Sequence, residues 1–168
     1  MKATLLTLLM MFASLAHAVS QVGGGKLRNM DEGYETPLSP KFQRYDRGTA
    51  DEIRFHGPIA IVPASVGMIP VPQMINVYLL RETFPDMGPI SADEFETFFI
   101  TRGWSMRTHT NECVKVFSKT NANGITWALG WGNGRGIVLA GQRTNDVAEG
   151  IESMVRQLEL LDGACGWQ

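Results

Sequence analysis

The stretch GITWALGWGNGRGIVLAGQ, residues 124–142, decides the fold class. Glycines stand at 130, 132, 134 and 136, with Trp127, Trp131 and Arg135 set among them. A dinucleotide loop needs the spacing GxGxxG and a strand that runs into a helix. The sixth residue counted from Gly130, Gly132 and Gly134 is Arg135, Ile137 and Leu139, so the spacing fails. Asn133-Gly134 between apolar runs is instead a signal for a type I′ hairpin turn, which needs positive φ at both central residues. The stretch therefore reads as two antiparallel strands.

Upstream, WSMRTH (104–109) and CVKVFSK (113–119) are separated by TNE, and TNANG leads into the first strand of the hairpin. These segments predict an antiparallel meander of four strands or more. Before it, Ser91 and Glu94 have the spacing of a capping box, Phe95, Phe98 and Phe99 share one helical face, and Gly103 offers a stop. This predicts a helix over 92–101. After the meander, Val147, Ile151, Met154, Val155, Leu158 and Leu161 form an apolar stripe behind an Asp146/Glu149 cap pair. That stripe predicts an amphipathic helix over 146–161, packed on one face of the sheet. The expected class is α+β, with one helix before the sheet and one after it. Residues 59–62 read as a short strand. Over 73–82, Pro72 suits a helix start, whereas the alternation of Ile75, Val77 and Leu79 favours a strand.

The ends read differently. Lys2, the apolar run Leu5–Leu15 and Ala16-His17-Ala18 have the layout of a secretory leader cleaved after Ala18. Residues 1–18 are therefore expected to be removed, leaving the protein periplasmic or extracellular. No cysteine follows the cleavage position to carry a lipid, and no second long apolar run predicts an integral membrane segment. Residues 19–52 mix Gly, Pro and charge without a sustained period, which predicts a flexible or loosely docked arm ahead of a single α+β domain at 53–168.

Turn lengths then assign faces. A two-residue turn at 133–134 pairs Trp131 with Gly136, Leu129 with Val138 and Trp127 with Ala140. A four-residue loop at 121–124 and a three-residue loop at 110–112 add Val114, Val116, Trp104 and Met106 to that side. This is the expected core face, opposite the C-terminal helix. The other face collects Arg107, His109, Cys113, Lys115, Phe117, Lys119, Arg135, Ile137 and Leu139 and holds no acid. Arg107, Lys115, Lys119 and Arg135 are the candidate binding residues on this cationic face.

Cys113 and Cys165 are the chain's two cysteines. In an oxidising compartment such a pair is expected as a disulfide, and its loop of roughly 50 residues stabilises by about 4 kcal/mol in the chain-entropy model. The alternative uses Cys113 as a thiolate nucleophile activated by His109. Other chemistry finds no support. HExxH, CxxC, GxSxG and Gly-Lys-Ser/Thr motifs are absent, and GGGK at 23–26 is followed by Leu27 in place of Ser or Thr. No metal or cofactor is expected: beyond the leader only His56 and His109 remain, and Asp93, Glu94 and Glu96 suit a helix N-terminus. The formal charge of −2 becomes −3 once Lys2 leaves with the leader, which argues against nucleic acid as the partner. The expectation is an exported, non-enzymatic domain that binds a protein or another envelope macromolecule. The alternatives are a small cysteine-dependent enzyme and a secreted inhibitor of a hydrolase.

Overall fold

A computed structural model describes residues 21–45 and 52–167. The expected leader lies outside them. Among the described residues the fold is α+β and mostly antiparallel sheet. A four-stranded sheet has the order β1-β2-β3-β11 and a seven-stranded sheet the order β4-β5-β6-β10-β9-β8-β7. The strands of the first are β1 (Gln21–Gly23), β2 (Lys26–Asn29), β3 (Tyr34–Pro37) and β11 (Glu159–Leu160). Those of the second are β4 (Gln43–Tyr45), β5 (Glu52–Ala64), β6 (Gly67–Leu79), β7 (Ser105–Arg107), β8 (Lys115–Thr120), β9 (Gly124–Gly132) and β10 (Arg135–Gln142). The helices are α1 (Leu80–Thr83), α2 (Ala92–Ile100) and α3 (Asn145–Arg156).

The local signals at the start of α2 form as read. Ser91 N–H donates to Glu94 Oε2 at 2.8 Å and Glu94 N–H donates to Ser91 Oγ at 3.3 Å, closing the capping box. The Asn133-Gly134 turn also forms, with φ of 53° and 69°. The strand alternative for 73–82 holds through Leu79, after which α1 begins.

The register beyond that turn differs from the expected one. A bulge between Arg135 and Gly136 leaves Gly132 opposite Arg135 and Gly130 opposite Gly136, so Trp131 is the extra residue. The pairs become Leu129–Ile137 and Trp127–Leu139. Because side chains alternate with period two, this one-residue slip turns β10 over. Ile137 and Leu139 join the side of Trp127 and Leu129, while Val138 faces the other way with Ala128. The β7–β8 hairpin slips too: Met106 pairs with Phe117 and Arg107 with Val116. Met106 therefore leaves the expected core face and Arg107 enters it.

Both faces of the large sheet carry a core. On one, Val147, Ile151, Met154 and Val155 of α3 pack with Phe55, Ile75, Val77, Leu129, Ile137 and Leu139. On the other, Phe95 and Phe99 of α2 pack with Leu80, Met87, Phe117, Ala128 and Val138. The phenylalanines are interlocked, with Phe99 stacked on Phe117 at 5.1 Å and Phe95 tilted against Phe99 at 4.9 Å. The face expected to be open and cationic is thus the floor of a second, aromatic core.

Two further expectations are corrected. The arm expected over 19–52 is, within 21–45, built into the fold: Leu27 and Tyr34 are fully buried and Phe42 nearly so. Its strand β3 pairs with β11 from the far end of the chain, a partner that no local period reveals. The C-terminal helix stops at Arg156, five residues short of the expected end. Glu159 and Leu160 instead extend to pair with Glu35 and Tyr34. Its N-cap is Thr144, and Asp146 is drawn away to Lys41 Nζ at 2.6 Å.

Candidate functional site

Cys113 and Cys165 are joined in a disulfide, so Cys113 presents no thiol. His109 is held elsewhere. Its Nε2 donates to Val155 O at 2.8 Å, and its Nδ1 accepts from Asn111 N–H at 3.0 Å. Both bonds together fit the neutral Nε2–H tautomer. The imidazole is a strut between the 108–112 turn and the end of α3, and no cysteine–histidine pair is assembled.

The four candidate cations are dispersed. Arg107 lies on the α3 side, donating from Nε to Ser118 Oγ at 2.8 Å with its guanidinium 5.8 Å from the Trp127 ring. Lys115 is paired with Glu96 at 2.7 Å on the α2 side, an acid that the face reading had left out. Lys119 Nζ donates to Arg102 O at 2.8 Å. Arg135 is half-buried and reaches towards Ala164 O. They do not form one cationic surface.

What stands free is a different element. Residues 57–80 carry no Asp, Glu, Lys, Arg or His, and four prolines punctuate them at 58, 63, 70 and 72. Within this run, residues 59–72 make the outer part of the β5–β6 hairpin. Among the described residues, β10 supports β6 from Ile75 to Leu79 and β4 supports β5 from Arg54 to His56. Beyond that base, among the described residues, 59–64 and 67–72 pair with each other alone. The result is a two-stranded arm that leaves the sheet.

Cross-strand partners share a face, so Ile59/Pro72, Ile61/Pro70 and Pro63/Met68 line one side of the arm. Ala60/Val71 and Ala64/Gly67 lie on the other side, together with Ile69. Ile59 is 67% exposed, Ile61 59%, Met68 63% and, in the turn, Val66 86%. An isolated two-stranded hairpin is at best marginally stable in water, and apolar side chains on both faces make exposure costly. The arm gathers most of the exposed large hydrophobic residues among the described residues.

The two edges of the arm differ. The two-residue turn at Ser65-Val66 places 63, 61 and 59 of β5 and 68, 70 and 72 of β6 with their amide positions directed outward. Proline occupies 63, 70 and 72 and supplies no N–H there. At the base, Gln142 closes the edge of β6 by accepting from Met74 N–H at 2.7 Å and donating to Pro72 O at 3.3 Å. Met68 is left as the one outward backbone donor of β6 along the arm. The edge of β6 is therefore poor in donors for strand addition, while Ile59 and Ile61 keep outward N–H groups along β5.

No protein-family model, curated protein or solved structure matches the chain.

Among the described residues no group of three or more His, Cys, Asp or Glu is placed to hold a metal ion. No described helix is long and apolar enough to cross a membrane. The sequence reading passed over the arm because its strands satisfy no single template. Proline and glycine interrupt the apolar alternation, and both faces are apolar. The signal that finds it is the unbroken absence of charge over 57–80 around a Ser65-Val66-Gly67 turn.

Proposed function

We propose that this protein is an exported, non-enzymatic domain of the cell envelope or extracellular space that binds another macromolecule through the β5–β6 arm. The observation that carries the reading is the arm itself: an uncharged ribbon beyond the sheet with Ile59, Ile61, Val66 and Met68 exposed. A surface that costs free energy in water is retained where burial in a complex recovers it. The leader-like N-terminus and the disulfide support export, because disulfides persist in oxidising compartments. The engaged surface in this reading is the arm and not the dispersed cations.

The test is site-specific photocrosslinking in the producing cell. A photoreactive residue at position 61 is expected to give a discrete macromolecular adduct, and the same residue at position 119, on an exposed lysine, is not. Equal labelling at both positions, or none at position 61, overturns the reading.

A further inference from the structure

We infer that a cavity between the β7 edge of the large sheet and the end of α3 binds a small organic oxyanion, a carboxylate or phosphate carried on a compact hydroxylated body. The site is separate from the arm, which leaves the sheet near its opposite edge, and it does not rest on what the arm binds.

Arg107 is the residue that makes the site. In the register of β7, β8 and β9, Arg107 pairs with Val116 and Ser118 with Trp127, so Arg107, Ser118 and Trp127 stand together on the α3 face. The buried Ser118 accepts from Arg107 Nε at 2.8 Å, which fixes the guanidinium and leaves both Nη groups for another acceptor. Lys26, Lys41, Arg54, Arg81, Lys115 and Arg156 each have a carboxylate partner. Arg107 has none among the described residues. A guanidinium fork held in this way matches the two oxygens of a carboxylate or phosphate.

The cavity beside it has a volume of about 220 Å³. Pockets for drug-sized molecules start at roughly 300 Å³, so this one suits a smaller ligand. Its charged lining is Arg107, Arg156 and Glu152, two cations to one acid. Arg156 Nη2 is paired with Glu152 Oε1 at 3.0 Å, so the uncommitted charge is that of Arg107. A helix C-terminus repels an anion through its bare carbonyls. Here His109 Nε2 donates to Val155 O at 2.8 Å, which satisfies the carbonyl where the cavity meets α3. Thr108 and Thr110 bring hydroxyls that suit hydroxyl groups on the ligand, while Trp127 and Val155 supply apolar wall.

The experiment is isothermal titration calorimetry of the purified protein with three probes: glucuronate, glucose 6-phosphate and glucose. One equivalent of an oxyanion-bearing sugar is expected to bind, more weakly as salt is raised, and glucose is not. Binding of glucuronate alone identifies a carboxylate site, of glucose 6-phosphate alone a phosphate site, and of both a site for either oxyanion. Two variants at exposed positions have opposite expected signs, and each is checked for an unchanged unfolding midpoint. Arg107→Gln removes the fork and is expected to weaken binding by roughly tenfold or more. Glu152→Gln removes the acid from the cavity, releases Arg156 and is expected to tighten binding. No binding of either oxyanion at millimolar concentration, equal binding of glucose, or an affinity that Arg107→Gln leaves unchanged overturns the inference. None of these outcomes bears on crosslinking at position 61, so the arm reading stands or falls separately.

Discussion

Glu32 Oε2 accepts the backbone N–H of Gly136 at 3.1 Å, joining residues 104 apart in sequence. Around this bond the Glu32 side chain is almost fully buried, Arg81 Nη1 lies 2.7 Å from its Oε1, and Glu32 O accepts from Trp131 Nε1 at 2.7 Å. The clamp ties the N-terminal strands, α1 and the bulged β9–β10 turn together. Burial is the largest influence on the carboxyl and raises its pKa, against the pull of the Gly136 N–H and of Arg81 and Arg135. A carboxyl raised in the fold binds its proton more tightly there than in the unfolded chain. Its contribution is present below the unfolded value of about 4.3 and is lost as pH rises through the folded value. Glu32→Gln keeps an acceptor for Gly136 and removes that titration. Urea midpoints measured from pH 4 to 7 are expected to show a weaker decline with rising pH in the variant than in wild type. Identical pH profiles would contradict the assignment.

Glu35 has the opposite sign. Lys26 lowers its pKa most, with Arg28 assisting at 2.7 Å from Nε to Oε2. A carboxyl depressed in the fold stabilises above its unfolded value and loses that contribution as pH falls through the folded one. Glu35→Gln is expected to be less stable than wild type at pH 7, with the deficit shrinking below about pH 4. A deficit that is constant with pH would assign the loss to packing between β2 and β3.

The contrast between Glu32 and the hairpin turn shows what was legible in the sequence. Asn133-Gly134 and Ser91/Glu94 are local devices whose partners lie within four residues, and both could be read directly. The bulge beside Gly136 is set by partners far along the chain, including Glu32 and Leu80, and turn counting cannot register it. That single residue turned Ile137 and Leu139 to the α3 side, while the packing of α2 and the slip of β7 against β8 account for the loss of the open cationic face. Leu27, Tyr34 and Phe42 were missed for a related reason: each is an isolated anchor whose partner is distant. The arm was visible as a run without charge, yet its two apolar faces belong to neither the strand nor the helix pattern.

The aromatic core beneath α2 gives a direct check on the corrected face. Phe99 is fully buried between Phe95, Phe117, Phe84 and Trp104. Phe99→Ala is expected to lower stability by about 3–5 kcal/mol. Lys119→Ala, on an exposed side chain, is expected to change it by less than about 0.5 kcal/mol. Denaturant unfolding of both variants measures the difference. Similar small losses would mean that α2 does not cover this face.

The Cys113–Cys165 bond closes a separation of 52 residues and fastens the segment after β11 to the turn before β8. Replacing both cysteines by serine is expected to cost about 4 kcal/mol in the chain-entropy model, with the β9–β10 hairpin still folded. The measurement is the urea midpoint of the double variant beside that of oxidised and reduced wild type. A double variant as stable as oxidised wild type would show that the bond adds nothing to the hydrogen bonds around it.

Gly166 N–H and the Cys113 sulfur both meet Trp131 O, next to Gly132, a position that tolerates no side chain. Its φ is 103°, outside the range that side chains tolerate, and it forms a bridge with Gly166. Gly166 N–H donates to Trp131 O at 2.9 Å, which brings the C-terminal segment directly against the bulge. A Cβ on residue 132 would lie 2.2 Å from Gly166 C and 2.3 Å from Trp167 N, both backbone atoms that no rotamer change can clear. Gly132→Ala therefore combines backbone strain with a collision and is expected to cost more than about 2 kcal/mol. It is also expected to speed reduction of Cys113–Cys165, because the segment carrying Cys165 must lift from the hairpin. Gly25→Ala also has positive φ, 74°, but meets no atom within 4 Å, so it measures the strain alone. If the two variants lose equal stability and are reduced at equal rates, the contact with Gly166 carries no weight.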